Sequence, residues 1–280
     1  MAPGGADDTA EATAPVSDNP AIHVRALLIT PIKGLRVTPR EELMLERAGV
    51  RDDRRFYLVG EDGRMVNGKQ IGELTELRSE YRDADRSLTL TLPDGERISG
   101  AVCLGEEIDV RFFRRTLRAS VVLGPWSDAI STHVGRPLRL VEADPAQNGV
   151  DRGEGGTVSL VSRGSLERLA AVAGNGGEID PRRFRMLVEI DGIDPHGEDA
   201  WVGRRVRIGE ALVGFNGHVG RCLVTSRDPD SGVVDLPTLD LIREYRRGEQ
   251  TSEPLAFGIY GEVIEPGSVR LGDPVITESP

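Results

Sequence analysis

The sequence predicts an α+β fold that is predominantly β, built from short strands with a few short helices. Glycine and proline account for 34 and 17 of the 280 residues, and they separate many short apolar runs. Several of these runs alternate apolar and polar side chains, as strands with one buried face do. Because long helical periodicities are scarce, the pattern favours barrels or sandwiches over a helical bundle.

The predicted strands follow one another with turn residues between them. The clearest alternation is in residues 87–92, where Leu88, Leu90 and Leu92 share one face. A Glu-Pro-Gly turn lies within residues 262–277, which are therefore predicted to form a closing hairpin. The other predicted strands are 22–30, 54–59, 107–113, 119–123, 157–161, 184–190, 205–208 and 221–226.

Two helices are predicted in the C-terminal half. Ser165 is the predicted N-cap of a helix whose apolar residues share one face and which ends at Gly174. A second helix is predicted over residues 235–246, with Asp235 as its N-cap and Pro237 in the first turn, where no N–H is needed. Shorter helices are predicted at 70–78 and 127–134.

The composition excludes several classes of protein. There are 35 Lys and Arg residues against 46 Asp and Glu residues, a net charge of −11, which argues against a nucleic-acid partner. No apolar run approaches the roughly 20 residues that span a bilayer, so no membrane association is expected. Cys103 and Cys222 are too few for a disulfide framework, which predicts a reducing, cytoplasmic location. Residues 1–20 hold acids but no bases and predict a disordered acidic tail.

The richest stretch for chemistry is 216–232, NGHVGRCLVTSRDPDSG. Cys222 follows Arg221 directly and lies four residues after His218. Cationic neighbours favour a thiolate, which is both a nucleophile and a soft metal ligand. An inert, buried Cys222 is the main alternative on local sequence, and Cys103 fits that alternative better. A zinc site lacks clustered partners, and a Cys–His enzyme lacks its flanking signature.

Several other stretches carry weaker signals. The GEGG loop at 153–156 offers backbone N–H groups to an anion, and RRFR would place Arg183 and Arg185 on one face of a strand. The DPDSG segment at 228–232 has the composition of a tight turn and not of a calcium loop. Lys33 and Lys69 are the only lysines in the chain, and both fall near these motifs.

The motifs together resemble those of a known family. In chain order they are TPIKG, RRFYLV, RFR, GHVGRCLVTSRDPDSG, FGIYGEV and VRLGDPV. They resemble the MOSC family, named for the C-terminal domain of molybdenum cofactor sulfurases, and within it the branch of the amidoxime-reducing component. The resemblance spans about residues 22–277. It implies a MOSC N-terminal β-barrel domain at 21–120 and a MOSC β-barrel domain at 121–280.

The resemblance also implies a cofactor, molybdopterin-bound molybdenum, with Cys222 as the protein ligand to the metal. His218 is expected to be either a catalytic proton donor or a group that supports the metal ligand, with Tyr260 or water as the other proton sources. The sequence departs from the family pattern at three places: Gly34 replaces a serine, Met186 and Leu187 replace the Pro and Asn of an R-P-N motif, and Gly155 and Gly156 replace a Thr-Ser pair. The cofactor-binding positions implied by the motifs are Lys33, Gly34, Arg55, Gly155, Gly156, Arg185, Gly220, Arg221 and Tyr260.

The function that the resemblance implies is a molybdenum-cofactor oxidoreductase that reduces N-hydroxylated or related N-oxygenated small molecules. Two cysteines are too few for an iron–sulfur cluster, so electrons are expected from a separate donor such as a ferredoxin or a flavin reductase. One alternative is a molybdenum-cofactor or sulfur carrier that uses Cys222 without reductase activity. Another is a metal-free interaction protein with an inert Cys222.

Overall fold

A computed structural model describes residues 21–144, 153–174 and 177–278, so the acidic tail predicted at 1–20 lies outside the described residues. The predicted fold class is confirmed, since strands predominate and the α-helices are few and short. Among the described residues, no helix has both the length and the apolar character needed to cross a membrane. The α-helices are α1 (Trp126–Val134), α2 (Arg163–Ala173) and α3 (Thr238–Tyr245).

The strands form one large sheet, one of medium size and two small ones. In chain order they are β1 (His23–Ile29), β2 (Thr38–Arg40), β3 (Glu42–Leu45), β4 (Phe56–Gly60), β5 (Met65–Val66), β6 (Arg78–Arg82), β7 (Ser87–Thr91), β8 (Arg97–Ala101), β9 (Cys103–Phe112), β10 (Arg115–Leu123), β11 (Leu138–Ala143), β12 (Val158–Ser162), β13 (Val188–Asp191), β14 (Arg205–Ile208), β15 (Ala211–Gly220), β16 (Ala256–Glu265), β17 (Gly267–Arg270) and β18 (Val275–Thr277).

The large sheet has eight strands in the order β18-β14-β15-β16-β12-β13-β1-β2, and a five-stranded sheet has the order β5-β4-β11-β10-β9. The pair β12 and β13 is parallel, with α2 as the connecting helix, whereas the other pairs in the large sheet are antiparallel. The small sheets are β17-β3 and β6-β7-β8. Strands β1 and β3 therefore pair with strands from the C-terminal half of the chain, whereas β2 pairs with β1.

The described residues form four clusters of buried apolar side chains, and the two largest follow from this pairing. One contains side chains of β1 and β3 together with those of β12 to β18. The other contains side chains of β4 to β7, β10, α1 and β11. The predicted boundary between residues 120 and 121 falls within β10, whose neighbours β9 and β11 lie on either side of it in the chain. The division into 21–120 and 121–280 stays a prediction.

Three of the predicted helices are found near their predicted positions, but their first residues differ from the prediction. Ser162, and not Ser165, caps α2, because its Oγ accepts a hydrogen bond from the Ser165 N–H at 3.1 Å. The helix ends at Gly174, as predicted, with a φ of 68°. The third helix begins after Pro237 and not at Asp235. A 3-10 turn, Gly72–Glu76, takes the place of the helix predicted over 70–78.

Three strand predictions are wrong in part or in full. Residues 262–277 form no closing hairpin: β16 pairs with β15 and β12, β17 with β3, and β18 with β14. Residues 221–226 lie beyond the end of β15, where Leu223–Ser226 is a 3-10 turn. The strand predicted over 184–190 begins only at Val188, because another 3-10 turn ends at Phe184 and Arg185 has a φ of 54°.

Candidate functional site

A cleft of about 340 Å³ lies between the N-terminal and C-terminal segments of the chain. Cys222 is one of its lining residues and is exposed. The walls come from residues 33–34, 53–54, 67–69, 156–159, 183–187 and 219–225, together with Phe113. The cleft thus gathers segments that are far apart in sequence around one thiol, and we call it the Cys222 pocket.

The Cys222 pocket is strongly cationic, although the chain as a whole carries a net charge of −11. Its only lining carboxylate among the described residues is Asp53. Its lining cations are Lys33, Arg54, Lys69, Arg183, Arg185 and Arg221. Such a concentration of one sign of charge in a concave site favours the binding of an anion.

Cys222 is held at the backbone while its thiol stays accessible. It lies between the end of β15 and a 3-10 turn, with extended backbone angles. Its carbonyl oxygen accepts hydrogen bonds from the N–H and the Oγ1 of Thr225, both at 3.0 Å. The alternative of a buried Cys222 is therefore wrong. Cys103, for which burial fitted better, is also exposed, but it lies on β9 and does not line the pocket.

Arg221 uses its guanidinium on backbone carbonyls. Its Nε donates to the Phe257 carbonyl at 2.8 Å, its Nη2 donates to the same oxygen, and its Nη1 donates to the Phe184 carbonyl at 3.1 Å. The guanidinium also lies over the Phe184 ring, at 5.1 Å from the ring centroid. These contacts make Arg221 a brace between β16 and the segment before β13, beside the cysteine.

Of the two adjacent arginines in the RRFYLV motif, Arg54 lines the pocket and Arg55 does not. Arg55 is ion-paired with the buried Glu142 at 2.7 Å, and its guanidinium lies over the Tyr81 ring. Arg54 has a φ of 52°, which turns its side chain toward Asp53 and toward the Arg185 carbonyl, to which it donates at 2.7 Å. The arginine that lines the pocket is therefore the one that precedes the predicted position by one residue.

Arg183 and Arg185 both line the pocket, as the sequence motif suggested, but from a turn and not from a strand. Arg185 donates to the Leu35 carbonyl at 2.6 Å and so connects the two halves of the chain. Arg183 makes two hydrogen bonds to Asp235, at 2.6 and 2.7 Å, which raise the pKa of its guanidinium. Both cations are thus fixed in direction.

Lys33 and Gly34 form the N-terminal wall of the pocket. Lys33 is only 7% exposed, and its Nζ lies 5.7 Å from the centroid of the Phe112 ring. Gly34 has a φ of 101°, a conformation that side chains with a Cβ rarely adopt. The backbone therefore requires glycine at this position, where the family pattern has a serine.

Of the glycine pair at 155–156, Gly156 lines the pocket and Gly155 does not. The Gly155 carbonyl accepts a hydrogen bond from the Asn216 amide at 2.9 Å. The next residue, Thr157, also lines the pocket, and its Oγ1 is buried without a hydrogen-bond partner among the described residues. A hydroxyl is thus present in this wall, one residue later than the glycines that the motif comparison selected.

His218 is not brought to the pocket. Its Nδ1 accepts from the Ser252 N–H at 3.1 Å, so the neutral ring carries its proton on Nε2, which lies 3.6 Å from Asp199 Oδ1. Burial lowers the pKa of His218 in spite of Asp199. His218 is buried and does not line the pocket, although the neighbouring residues Val219 and Gly220 do.

Tyr260 lies beside the pocket and not in its wall. It pairs with Ser159 across β12 and β16, and directly opposed residues of antiparallel strands share a face. Ser159 lines the pocket, so Tyr260 is one strand further along the same face. Its hydroxyl would come within 3.0 Å of a Cβ at Gly217, which keeps that position small.

A second group of polar residues does not line the pocket, and we call it the buried polar cluster: Ser162, Ser165, His196, Glu198 and Tyr245. Glu198 is fully buried and accepts hydrogen bonds from the Ser162 N–H, the Ser162 hydroxyl and the Ser165 hydroxyl, at 3.1, 2.8 and 2.8 Å. Burial raises the pKa of Glu198. Burial also lowers the pKa of His196 to about 3, with Arg246 as a further cause, and its Nε2 lies 2.9 Å from the Tyr245 hydroxyl.

The sequence motifs assigned no role to several of the lining residues, among them Asp53, Arg54, Asn67, Lys69, Phe113 and Thr157. One signal was available for Lys69, since the chain has only two lysines and both line this pocket. Phe113 follows β9 at the tip of the β9–β10 hairpin, is 57% exposed and has a φ of 55°. No local sequence pattern predicts that Phe113 lines the pocket, because this depends on how distant segments of the chain pack together.

Comparison with known proteins gives two family matches and several relatives. The model of the MOSC N-terminal beta barrel domain matches residues 21–122, and that of the MOSC domain matches residues 148–276. Mitochondrial amidoxime-reducing component 1 of Xenopus laevis is 26% identical, over 90% of this chain and 81% of the relative. Molybdenum cofactor sulfurase of Oryza sativa subsp. japonica is 25% identical over 87% of this chain, which spans 33% of that protein. Among solved structures, the YUAD protein of Bacillus subtilis matches with a TM-score of 0.43 and 14% identity, covering 91% of this chain and 94% of its own.

Proposed function

The chain belongs to the MOSC family, in the branch of the amidoxime-reducing components, and from that premise we propose that it binds molybdopterin-bound molybdenum and reduces N-oxygenated small molecules. The observation that carries this proposal is the exposed thiol of Cys222 in the wall of a cationic pocket. The proposed substrates are N-hydroxylated or related compounds, and the proposed source of electrons is a separate protein or flavin donor.

The residues present fit such a cofactor. The described residues contain no group of three or more His, Cys, Asp or Glu side chains that could hold a metal on their own. A metal bound at Cys222 would therefore take one protein ligand and receive its others from a cofactor, and soft thiolate ligands suit this. The unpartnered Oγ1 of Thr157 offers a hydrogen bond inside the pocket.

We assign the positions in the pocket as follows. Lys33, Arg54 and Arg185 are the proposed cations for the phosphate of the pterin, because all three line the pocket. Gly34, Gly156 and Gly220 allow the backbone to approach the cofactor closely, and Arg221 braces the wall next to Cys222, the metal ligand. Arg55, Gly155 and Tyr260 lie outside the wall and are replaced in this role by Arg54 and Thr157.

When bound, the cofactor supplies the two-electron and oxygen-accepting chemistry. The chain's own residues bind and orient it and leave the substrate side open. Because His218 is buried and does not line the pocket, it does not deliver a proton directly into the pocket. Cys222 is exposed, so solvent water reaches the same place and is the proposed source of protons.

The test is the metal and pterin content of protein purified from a host with active molybdenum-cofactor synthesis. We expect the wild type and Cys103→Ser to carry both and to reduce an N-hydroxylated arylamidine with an artificial reductant. Cys103→Ser is the matched control, because both cysteines are exposed but only Cys222 lines the pocket. Cys222→Ser should lose reduction by about a hundredfold or more, since thiolate ligation is removed.

The outcomes separate the proposed function from its alternatives. Wild-type protein without molybdenum or pterin would overturn it. Bound cofactor in the wild type with no reduction above that of Cys222→Ser would support a carrier of the cofactor or of sulfur instead, for which the exposure of Cys222 is equally suitable.

A further inference from the structure

A short turn of residues 67–69 forms the part of the pocket wall that carries Lys69. The turn is fixed by its own hydrogen bonds: Asn67 Oδ1 accepts from the Lys69 N–H at 2.9 Å, and the Asn67 carbonyl accepts from the Gln70 N–H at 3.0 Å. An Asn side chain that bonds the backbone two residues later is a common way to stabilise a turn. These hydrogen bonds therefore hold the backbone that carries Lys69 in a fixed conformation.

This turn lies against the Cys222 segment. A Cβ built on Gly68 would be 3.9 Å from Val224 Cγ2 and 3.7 Å from the Gly34 carbonyl oxygen. Val224 is two residues after Cys222 and also lines the pocket. Lys69 is thus on the wall next to the metal-ligand position, at the exposed side of the pocket.

Lys69 differs from the other cations of the pocket in what it contacts. Arg54, Arg183, Arg185 and Arg221 all donate to carbonyls or carboxylates of the protein. Within residues 21–144, 153–174 and 177–278, the Lys69 ammonium has no hydrogen bond and no salt bridge to the protein. In a chain with 46 acidic residues, a cation without a counter-charge at the edge of a pocket is available to a ligand.

An apolar surface accompanies this charge. Phe113 lines the same pocket and is 57% exposed at the hairpin tip, with its ring edge-on to Phe112 at 5.4 Å. An exposed aromatic ring in the wall of a pocket offers a face for a flat apolar group. The wall around Cys222 therefore combines one available ammonium with one available aromatic ring.

We infer that Lys69 determines substrate preference, and that the pocket selects aromatic N-hydroxylated compounds that carry an anionic group. The carboxylate or similar anion binds Lys69, the ring packs on Phe113, and the N-oxygenated group is directed to the Cys222 side. This inference rests on the proposed function and adds to it the class of substrate.

The experiment compares two substrates of similar size, an N-hydroxylated benzamidine with a para-carboxylate and one with a para-methyl group. For Lys69→Met holoenzyme we expect kcat/KM to fall about tenfold for the carboxylate, the loss of one charge-assisted contact, and less than about twofold for the methyl compound. Lys69→Arg should restore the preference. Arg97→Met is the control, since it removes an exposed cation from β8, away from the pocket.

Equal losses for both substrates with a parallel loss of molybdenum would overturn the inference, because Lys69 would then hold the cofactor. No change for either substrate would overturn it as well. A calorimetric measurement with para-carboxybenzamidine, which cannot be reduced in this way, tests Lys69 without turnover. If the wild type reduces neither compound, the proposed function fails, whereas weaker binding of the carboxylate to Lys69→Met still supports the role of Lys69.

Discussion

The Cys222 pocket and the buried polar cluster both contain polar side chains, but these side chains are partnered differently. In the cluster, Glu198 accepts three hydrogen bonds from its neighbours and is fully buried. In the pocket, the Oγ1 of Thr157 and the ammonium of Lys69 have no such partners among the described residues. Polar groups that satisfy one another stabilise a fold, whereas those left unpartnered next to open space are available to a ligand.

The comparison changes the assignment of two predicted residues. His218 resembles the residues of the buried polar cluster, since its ring faces Ser252 and Asp199. Arg55 also belongs to a closed arrangement, with Glu142 as its buried partner. Both residues are adjacent in sequence to residues that do line the pocket, Val219 and Arg54. Proximity in sequence to a motif therefore does not establish proximity to the site.

The largest effect is expected from removing the carboxylate of the buried polar cluster. Glu198→Ala leaves three buried donors without their acceptor, and we expect a loss of about 3 kcal/mol in the free energy of unfolding. Glu198→Gln keeps one acceptor oxygen and should lose less. Urea denaturation of both variants measures this. A loss below about 1 kcal/mol for Glu198→Ala would mean that the cluster does not stabilise the fold.

The next effect is a pH dependence that belongs to His196. Its folded-state pKa of about 3 lies below the unfolded value near 6.5, so its contribution to stability is present above pH 6.5 and is lost as the pH falls. Between pH 6.5 and 5, we expect the wild type to lose about 2 kcal/mol relative to His196→Gln. The raised pKa of Glu198 acts in the opposite direction, but it is present in both proteins.

Denaturation curves of the wild type and His196→Gln at several pH values give this difference directly. Parallel pH profiles would show that His196 titrates normally in the folded protein, and the cluster would then be open to water like the pocket.

A third prediction concerns the Cys222 pocket. Lys33→Met removes a cation from the pocket wall while keeping an apolar chain of similar length near Phe112. We expect cofactor affinity to fall about tenfold with little change in stability, because a charge-assisted contact to phosphate is lost. Arg55→Met is the matched variant and should lower stability, through Glu142, without affecting the cofactor. The reverse result would exchange the roles that we assign to these two residues.

The smallest effect is expected for His218→Gln. Since the ring is buried and does not line the pocket, we expect kcat/KM for an N-hydroxylated arylamidine to change less than about threefold, whereas a direct general acid contributes roughly a hundredfold or more. Steady-state kinetics of the holoenzyme distinguish these values. A hundredfold loss with normal cofactor content would place His218 among the catalytic residues.

Local sequence was sufficient for the fold class and for most elements. The capped, one-sided helix that ends at Gly174 and the alternating leucines of β7 are local patterns, and both were predictable. The closing hairpin was not, because β16, β17 and β18 each pair with strands from elsewhere in the chain. A turn signal at Pro266 shows that the chain bends and does not show what it then pairs with.

That a residue lines the pocket was predictable where a motif fixes its identity, as at Cys222 and Arg185. It was not predictable where the direction of a side chain depends on the backbone geometry. The positive φ of Arg54 decides which of two adjacent arginines enters the pocket, and an irregular register near His218 decides which residues of β15 line it. Lys69 stood out only through the rarity of lysine in the chain.

The walls of the Cys222 pocket begin at residue 33 and end at residue 225, and no shorter stretch contains them all. A chain emerging from the ribosome therefore has no complete pocket until about four-fifths of it has been made. Under the proposed function, the cofactor is therefore bound only after residues 33–225 have been made and have folded together.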